Sequence, residues 1–370
     1  MQKTLLPFLA LLLTTAQAAT ITVGPEGCNH KSVQAAIDAA SPGDLIEVME
    51  GTYYENVDLN KPLTLQGTDA GEGGVVLNAG GKGPAITISA NGATVAGLVV
   101  TNSSYSGILV HSNDNIIFSV SAIDNEYCGI RLEGSRNNTV EGSDFSQNGA
   151  MGIKLEDSEC NRILSNTACE NADNGIELEG SSENLIANNS ISDNGNDGIE
   201  LMGARNNCIH SNHATGNMDG LCLELGSDGN QISDNNFSYN DLSGIMLRES
   251  GDNVVEKNVA EKNNEGICLE GSSNTTVRSN NASENAHYGI HLNCYSWENI
   301  LYANQLIGNV EYEAYDESGK NQWDDGAMGN RYGDFDEPGE GCIASNWVCN
   351  AVYEIPGGSS VDRYPLATLT

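Results

Sequence analysis

A four-residue element that returns at a nearly fixed interval restricts this chain more than any other feature. Gly-Ile/Leu-x-Leu/Val occurs at Gly107, Gly129, Gly152, Gly175, Gly198, Gly220, Gly244, Gly266 and Gly289, at intervals of 22, 23, 23, 23, 22, 24, 22 and 23 residues. A period of about 20–50 residues marks a solenoid or array, whose units bury their apolar faces only by stacking on one another. Two ordinary globular domains would suit a chain of 370 residues. The continuous repeat argues instead for one stacked body.

With each glycine as position zero, the coils align into columns. Position one is isoleucine except at Leu221, and position three runs from Val110 through Leu132 and Leu178 to Leu292. A second apolar column holds Ile117, Val140, Ile163 and Leu301; a third, five residues further on, holds Ala122, Phe145, Ala168, Ile191 and Phe237. Small residues in the third column leave room for the phenylalanines. Three short strands per coil with alternate side chains turned inward satisfy this pattern. Between strands runs an asparagine column: Asn166, Asn189, Asn212, Asn235, Asn258, Asn280 and Asn304. Asparagine tolerates left-handed turn geometry and can bond the coils above and below. A leucine-rich repeat of similar period would add a helix and place its asparagine after an L-x-x-L-x-L run, and neither occurs. The expected fold is all-β, a right-handed parallel β-helix (solenoid) of about ten coils, each 22–24 residues long.

The ends depart from the repeat. Lys3, the apolar run Leu5 to Leu13 and Ala16-Gln17-Ala18 read as a signal peptide over residues 1–18. Residues 19–84 then hold an N-terminal cap and the first coils, with Ile46, Leu63 and Ile86 opening strands. The cap is a short helix, Ser32 to Ala40, with Val33, Ala36, Ile37 and Ala40 on one face and Pro42-Gly43 as its stop. Regular coils occupy 85–310, and 311–370 form a capping tail. No apolar stretch is long enough to span a bilayer, so a secreted, extracellular or cell-surface protein that is not membrane-embedded is expected.

The chain has 51 acidic and 16 basic residues, a formal charge of −35. Such a surface repels nucleic acid and attracts divalent cations. Ten cysteines contain no C-x-x-C pair, which leaves zinc-ribbon and thioredoxin readings without support. Cys342 and Cys349 are close in the tail and are the expected internal disulfide.

The segments Ser32 to Asp44 (SVQAAIDAASPGD), Glu50 to Val57 (EGTYYENV) and Leu63 to Gly67 (LTLQG), followed by the Gly-Ile-x-Leu coils, resemble NosD-like β-helix proteins. These belong with the carbohydrate-binding and sugar-hydrolase β-helix proteins. The tail segments NQWDDG from Asn321, YEIPGG from Tyr353 and DRYPL from Asp362 resemble the ending of secreted archaeal members. Where relatives often carry an Asp-x-Asp-Gly-Asp-Gly run, this chain reads DFDEPGEGC from Asp334, which departs from a calcium loop. The resemblance implies a substrate groove on the outward face of the first strand, and copper as the metal associated with the NosD name.

Positions two and four point outward from that strand. Glu156, Glu177, Glu179 and Glu200 are expected to cluster, since neighbours along a column are about 4.8 Å apart. Carboxylates that close either hold Ca²⁺ or raise one another's pKa. As a hydrolase pair they suit either retaining or inverting spacing; as a lyase site they would hold Ca²⁺, with Lys154 or Arg131 as base. The competing expectation is a solvated acidic face on which Arg131 and Lys154 balance charge. Further along, Cys222, Met246, Cys268 and His291 occupy successive coils of position two. They are expected on one exposed line, and their soft donors suit Cu(I). A partly apolar strip covered by the tail or by a second copy is the alternative.

Three functions follow. The first is a protein that binds, and in the extended form processes, polysaccharide along the outward face, as a lyase or glycoside hydrolase at most. The second is a non-catalytic rod of the cell envelope. The third is a copper-handling protein. Positions two and four of these coils carry no aromatic residue, against a sugar-stacking groove; Tyr105, Tyr127, Tyr239 and Tyr288 are the nearest candidates for a rim.

Overall fold

Strands from successive coils pair in parallel, and the pairing closes the chain into a right-handed β-solenoid of about 13 turns. The computed structural model describes residues 18–68 and 74–368. Residues 1–17 of the expected signal peptide lie outside the described residues. One sheet has 12 strands, from Val57–Leu59 to Tyr312–Asp316, and contains the Gly-Ile-x-Leu strands. A second has 13, from Thr20–Val23 to Ile300–Tyr302. The third face is broken into a four-stranded and a three-stranded sheet with isolated bridges between them. The coil number exceeds the expected ten because Thr20–Val23, Leu45–Val48 and Thr64–Gly67 are strands of coils that lack the glycine element.

The columns stack as the repeat requires. Ile176 pairs with Ile199, Ile163 with Ile186 and Ala168 with Ile191, and all six side chains are fully buried. The glycine at position zero is demanded by space. A Cβ on Gly198 would come 2.7 Å from both Ala214 Cβ and the Gly220 carbonyl oxygen. Position zero therefore turns toward the coil interior, at the corner where the third face meets the first.

Asparagine does more than one column's work. Three ladders, buried except at Asn309, run along the solenoid: Asn115 to Asn253, Asn125 to Asn309 and Asn166 to Asn330. Asn212 shows the unit. Its amide donates to Asn235 Oδ1 at 3.0 Å and to the Ile186 carbonyl at 2.9 Å, while its own Oδ1 accepts from the Asn189 backbone and amide at 3.0 and 2.9 Å. The left-handed turn expected of the asparagines sits one residue earlier instead. Ser165, Asn188, Ser211 and Asp234 have φ of 54°, 58°, 56° and 56°. That turn aims the following asparagine into the stack.

Both ends are closed. The helix Val33–Ala39 buries Val33, Ala36 and Ile37, as expected, with Ser32 as N-cap. Glu55 accepts from the Val33 and Gln34 backbone at 3.0 Å each, and Lys61 Nζ donates to the carbonyls of Ile37, Asp38 and Ala40 at 3.0, 2.8 and 2.9 Å. These contacts satisfy helix ends that the coils cannot. At the other end Trp323 and Tyr332 are fully buried, and Asp362 Oδ2 accepts from Asn330 N at 2.6 Å, ending a ladder. Cys342 and Cys349 form the expected disulfide. Asp336, in the segment that replaces a calcium loop, pairs with Arg331 at 2.7 Å.

Removing one ladder rung should be costly. Asn212→Ala removes the acceptor of the Asn189 backbone N–H and takes one bond each from the Asn189 amide, the Ile186 carbonyl and Asn235 Oδ1, with a cost of about 1–3 kcal/mol for each buried group left unpaired. A loss of roughly 3 kcal/mol or more is expected from denaturant unfolding. A loss below about 1 kcal/mol would show that the ladder is not a major support.

Candidate functional site

The 12-stranded sheet carries Arg131, Lys154, the four glutamates and the Cys222, Met246, Cys268 and His291 column. Its register joins Lys154 to Glu177, Glu177 to Glu200, Glu200 to Cys222, Cys222 to Met246, Met246 to Cys268 and Cys268 to His291. The column is continuous, but it is not the exposed line expected. Lys154, Glu177, Cys222, Met246 and Cys268 are 6, 2, 4, 8 and 1% exposed.

A second outward column, of which only Tyr288 was expected from the sequence, covers it. With positions zero and one both turned inward around the corner, the residue before each glycine faces out and lies over position two. Asn174, Asp197, Asp219, Glu265 and Tyr288 stand there. Asn174 reaches Glu177 and Glu200, Glu265 reaches His291, and the Tyr288 and His291 ring centres are 4.8 Å apart. The signal was present as Asn-Gly, Asp-Gly, Asp-Gly and Glu-Gly at the same register.

The glutamates are not four free carboxylates. Lys154 Nζ lies 2.8 Å from Glu177 Oε1 and 2.8 Å from Glu179 Oε2. Glu156 pairs instead with Arg131, whose guanidinium also meets Tyr105 and lies 3.6 Å from Glu133. The balancing basic residues thus sit inside the cluster. Burial disfavours the Lys154 charge, but hydrogen bonds to Glu177 and Glu179 outweigh it and raise its pKa. An ammonium held so firmly is a poor base. Glu200 differs: burial, then the Glu177 charge, pushes its pKa up to about 7. Asp197 is likewise raised to about 7 by burial and by Asp219, and Asp219 is raised by burial.

Two mixed clusters lie along the column. Asp197, Asp219 and Cys222 bring one ligand atom each within 4.8 Å of the others, and so do Glu265, Cys268 and His291. In the latter, Cys268 Sγ is 3.8 Å from His291 Nδ1, which is 3.2 Å from Glu265 Oε2. Burial opposes the imidazolium, but the Glu265 hydrogen bond prevails and raises the His291 pKa. Burial followed by the Glu265 charge raises the Cys268 thiol. Met246 packs between Cys222 and Cys268. The first-strand column also continues into a coil where the repeat had faded from view: Tyr315 pairs with His291.

Two tests follow. Lys154→Gln should cost about 3–5 kcal/mol, because Glu177 is left buried without its cation. Adding Glu177→Gln should restore much of it; losses that simply add would show the pair to be uncoupled. The second test uses pH. Glu200 and Asp197 stay protonated to about pH 7 when folded, against ordinary values of 4.5 and 3.8. Between those limits the native state binds more protons, so their contribution is present at acid pH and lost as pH rises toward 7. Asp197→Asn with Glu200→Gln should match the parent protein's melting temperature near pH 4 and exceed it at pH 7–8. A difference independent of pH would refute the assignment.

The fold and the column agree with what the chain is similar to. The family model described as periplasmic copper-binding protein (NosD) matches residues 67–243 and 238–337, most of the chain. Among solved structures, the A-module of an Azotobacter vinelandii mannuronan C-5 epimerase superposes with TM-score 0.67 at 19% identity, covering 75% of this chain and 91% of that one. The Dettilon tailspike protein gives 0.67 at 17%, over 82% and 70%. An alginate lyase from Paenibacillus sp. gives 0.59 at 16%, over 70% and 99%. At these identities the likeness is one of fold. No match is found among curated proteins. The archaeal character expected of the tail has no counterpart in these comparisons. A family described as periplasmic agrees with the expected export. Copper, the metal in that description, calls for soft donors; Cys268 beside His291 fits it, whereas the carboxylates already neutralised by Lys154 do not. By the extent of the family match, this chain is a member of the NosD family.

Proposed function

We propose that the protein binds an uncharged polysaccharide along the outward face of the 12-stranded sheet, with its main sugar contacts on the last coils. One observation carries the reading. Tyr288, Tyr312 and Tyr315 gather on that face, with ring centres 5.2 to 6.1 Å apart. Tyr288 and Tyr312 are stacked with an interplanar angle of 7°. Tyr312 is 43% exposed. Aromatic faces are large, rigid and apolar with a polar edge, which suits stacking on sugar rings. This cluster supplies the aromatic residues whose lack weighed against the groove. Tyr105 and Tyr127 stack at 5.5 Å further along, beneath Arg131.

Charge narrows the ligand. Glu311 hydrogen-bonds Tyr288, Glu317 lies 3.8 Å from His291 beside the tyrosines, and the whole chain carries −35. A uronate chain would meet like charge here. The kinship in fold with an alginate lyase and a mannuronan epimerase supports polysaccharide as the class of ligand. If bound glycan is also cleaved, Glu200 is the carboxyl group that keeps a proton to give near neutral pH.

Affinity electrophoresis in neutral and uronate polysaccharides tests this. Retardation by a neutral glycan is expected, and Tyr312→Ala with Tyr315→Ala should weaken it at least about tenfold, in the range of lost aromatic contacts. Retardation unchanged by the two substitutions, or a preference for uronate in chelator, would refute the reading. Absence of any glycan binding would favour the envelope-rod function.

A further inference from the structure

We propose that a groove across the early coils, at the corner that the 12-stranded sheet does not touch, binds an extended, uncharged glycan chain lying along the solenoid axis. The groove has a volume of about 520 Å³ where the 13-stranded sheet turns into the third face, and Gly97, Ser119, Gly142 and Ser165 stand along it. It crosses five coils, from Gly74 to Thr167, a length of about 19 Å at ~4.8 Å per coil. One departure from the repeat makes it. The asparagine ladder that ends at Asn330 begins only at Asn166, and the same register in the coils before it holds Leu98, Val120 and Ser143. Ser143 carries the ladder one step further, its hydroxyl accepting from Val120 N at 3.1 Å, and there the ladder stops. A Cβ on Gly142 would meet nothing within 4 Å. Local departures of this kind from a rule kept elsewhere collect at functional sites.

The lining selects the ligand. Val75, Leu98 and Val120 give it an apolar floor, while Ser119, Ser165 and Thr167 are exposed along it and Ser121 is half-buried. Among the described residues of the lining only Asp144 is charged, and its carboxylate already accepts from Ser146 N and Oγ at 3.2 and 2.6 Å. In a chain of −35 this stretch is poor in charge, which favours neither a uronate nor a cation. An extended peptide is the other polymer of this shape, but it is held by unpaired backbone at a sheet edge. Here the backbone is already paired within the stack. Gly97 N donates to Ser119 O at 3.1 Å, Ser119 N to Glu141 O at 3.2 Å, Ser121 N to Leu98 O at 2.9 Å and Thr167 N to Ser143 O at 2.9 Å. A sugar ring has an apolar face and a rim of hydroxyls, which match an apolar floor and a row of side-chain hydroxyls. An extended chain of β-linked hexoses advances by nearly one coil rise per ring, so each coil meets one ring. Phe118, next to Ser119 in the chain, is 40% exposed and offers an aromatic face beside the groove. The site stands on this groove and not on the tyrosine platform of the last coils.

The experiment uses the full mature chain carrying Tyr312→Ala and Tyr315→Ala, which removes that platform. Failure here then leaves the platform reading standing, and failure of the platform leaves this one standing. Calorimetric titration with cello- and manno-oligosaccharides should show binding of at least one series, with affinity rising ring by ring to the pentasaccharide and level beyond it. Ser119→Lys with Ser165→Lys fills the groove; Lys257, at the same register with φ of 54°, shows that this turn accepts lysine. The pair should weaken binding at least about tenfold by obstruction and keep the parent melting temperature. Ser121→Ala with Thr167→Ala, which takes away two hydroxyls and leaves the groove open, should weaken it about threefold or more. Ser279→Lys, at the same turn but outside the groove, should change nothing. Binding of neither series, affinity that does not grow with chain length, tighter binding of oligouronates, or binding indifferent to Ser119→Lys with Ser165→Lys would overturn the proposal. So would a change of oligomeric state in that variant, which would make the groove a seam between copies.

Discussion

The buried amide-to-amide hydrogen bond between asparagines of successive coils holds the register from which everything else follows. A parallel sheet alone ties coil to coil only through backbone bonds, and short strands of three or four residues tie weakly. Each ladder asparagine adds bonds to the coils on both sides and fills a turn whose backbone groups would otherwise be buried without partners. Three such ladders surround the solenoid, so a slip of one coil against the next breaks them together. That is why a residue in the first-strand face has a predictable neighbour 22–24 positions away. A column in the sequence becomes a column in space.

The corner glycine sets a second constraint with consequences for charge. Its missing side chain lets the strand turn so that the residues before and after the corner share one outer surface. The residue before the glycine then roofs position two. Groups that simple strand alternation assigns to solvent become buried, a lysine between glutamates and two cysteines among them, and the pKa values of Asp197 and Glu200 beside them are pushed up to about 7. In a chain this acidic, burial and like charge act in the same direction on those carboxyls. The lysine is the local exception, because two carboxylates outweigh its desolvation.

The columns were legible because each is one residue type repeated at one register. Ile176, Ile163 and Ala168 could be placed inside, and Cys222, Met246, Cys268 and His291 on one line, from spacing alone. The helix cap was legible from four apolar residues at helical spacing and a Pro-Gly stop. Exposure was not, because period-two alternation is silent about the bend at the glycine. Glu265 and Asp197 escaped notice for the same reason: counted along an ideal strand they fall on the wrong side. The left-handed turn was assigned to asparagine when Ser165 or Ser211 just before it carries it, since the ladder bonds constrain the following side chain rather than its own backbone. Tyr315 was missed because Glu313 and Ala314 replace the Gly-Ile pair that marks a coil, although backbone pairing with Tyr288–Leu292 continues.

Family and fold leave the chemistry to be decided by particular side chains. The same solenoid is shared with proteins named for alginate and mannuronan, and the family name carries copper, so neither comparison alone chooses between glycan and metal. The roofed column makes the two compatible on one face. The soft side chains of Cys222, Met246 and Cys268 are buried together on this face, and Glu265 and Tyr288 reach over the last of them to His291. The glycan platform proposed above needs exposed rings on a rigid support, and Tyr312 offers one on the adjoining strand. Both arrangements occur at the last coils because the ladder fixes the strands beneath, while the corner glycine permits one layer of side chains to be buried under another on the outside of a β-helix.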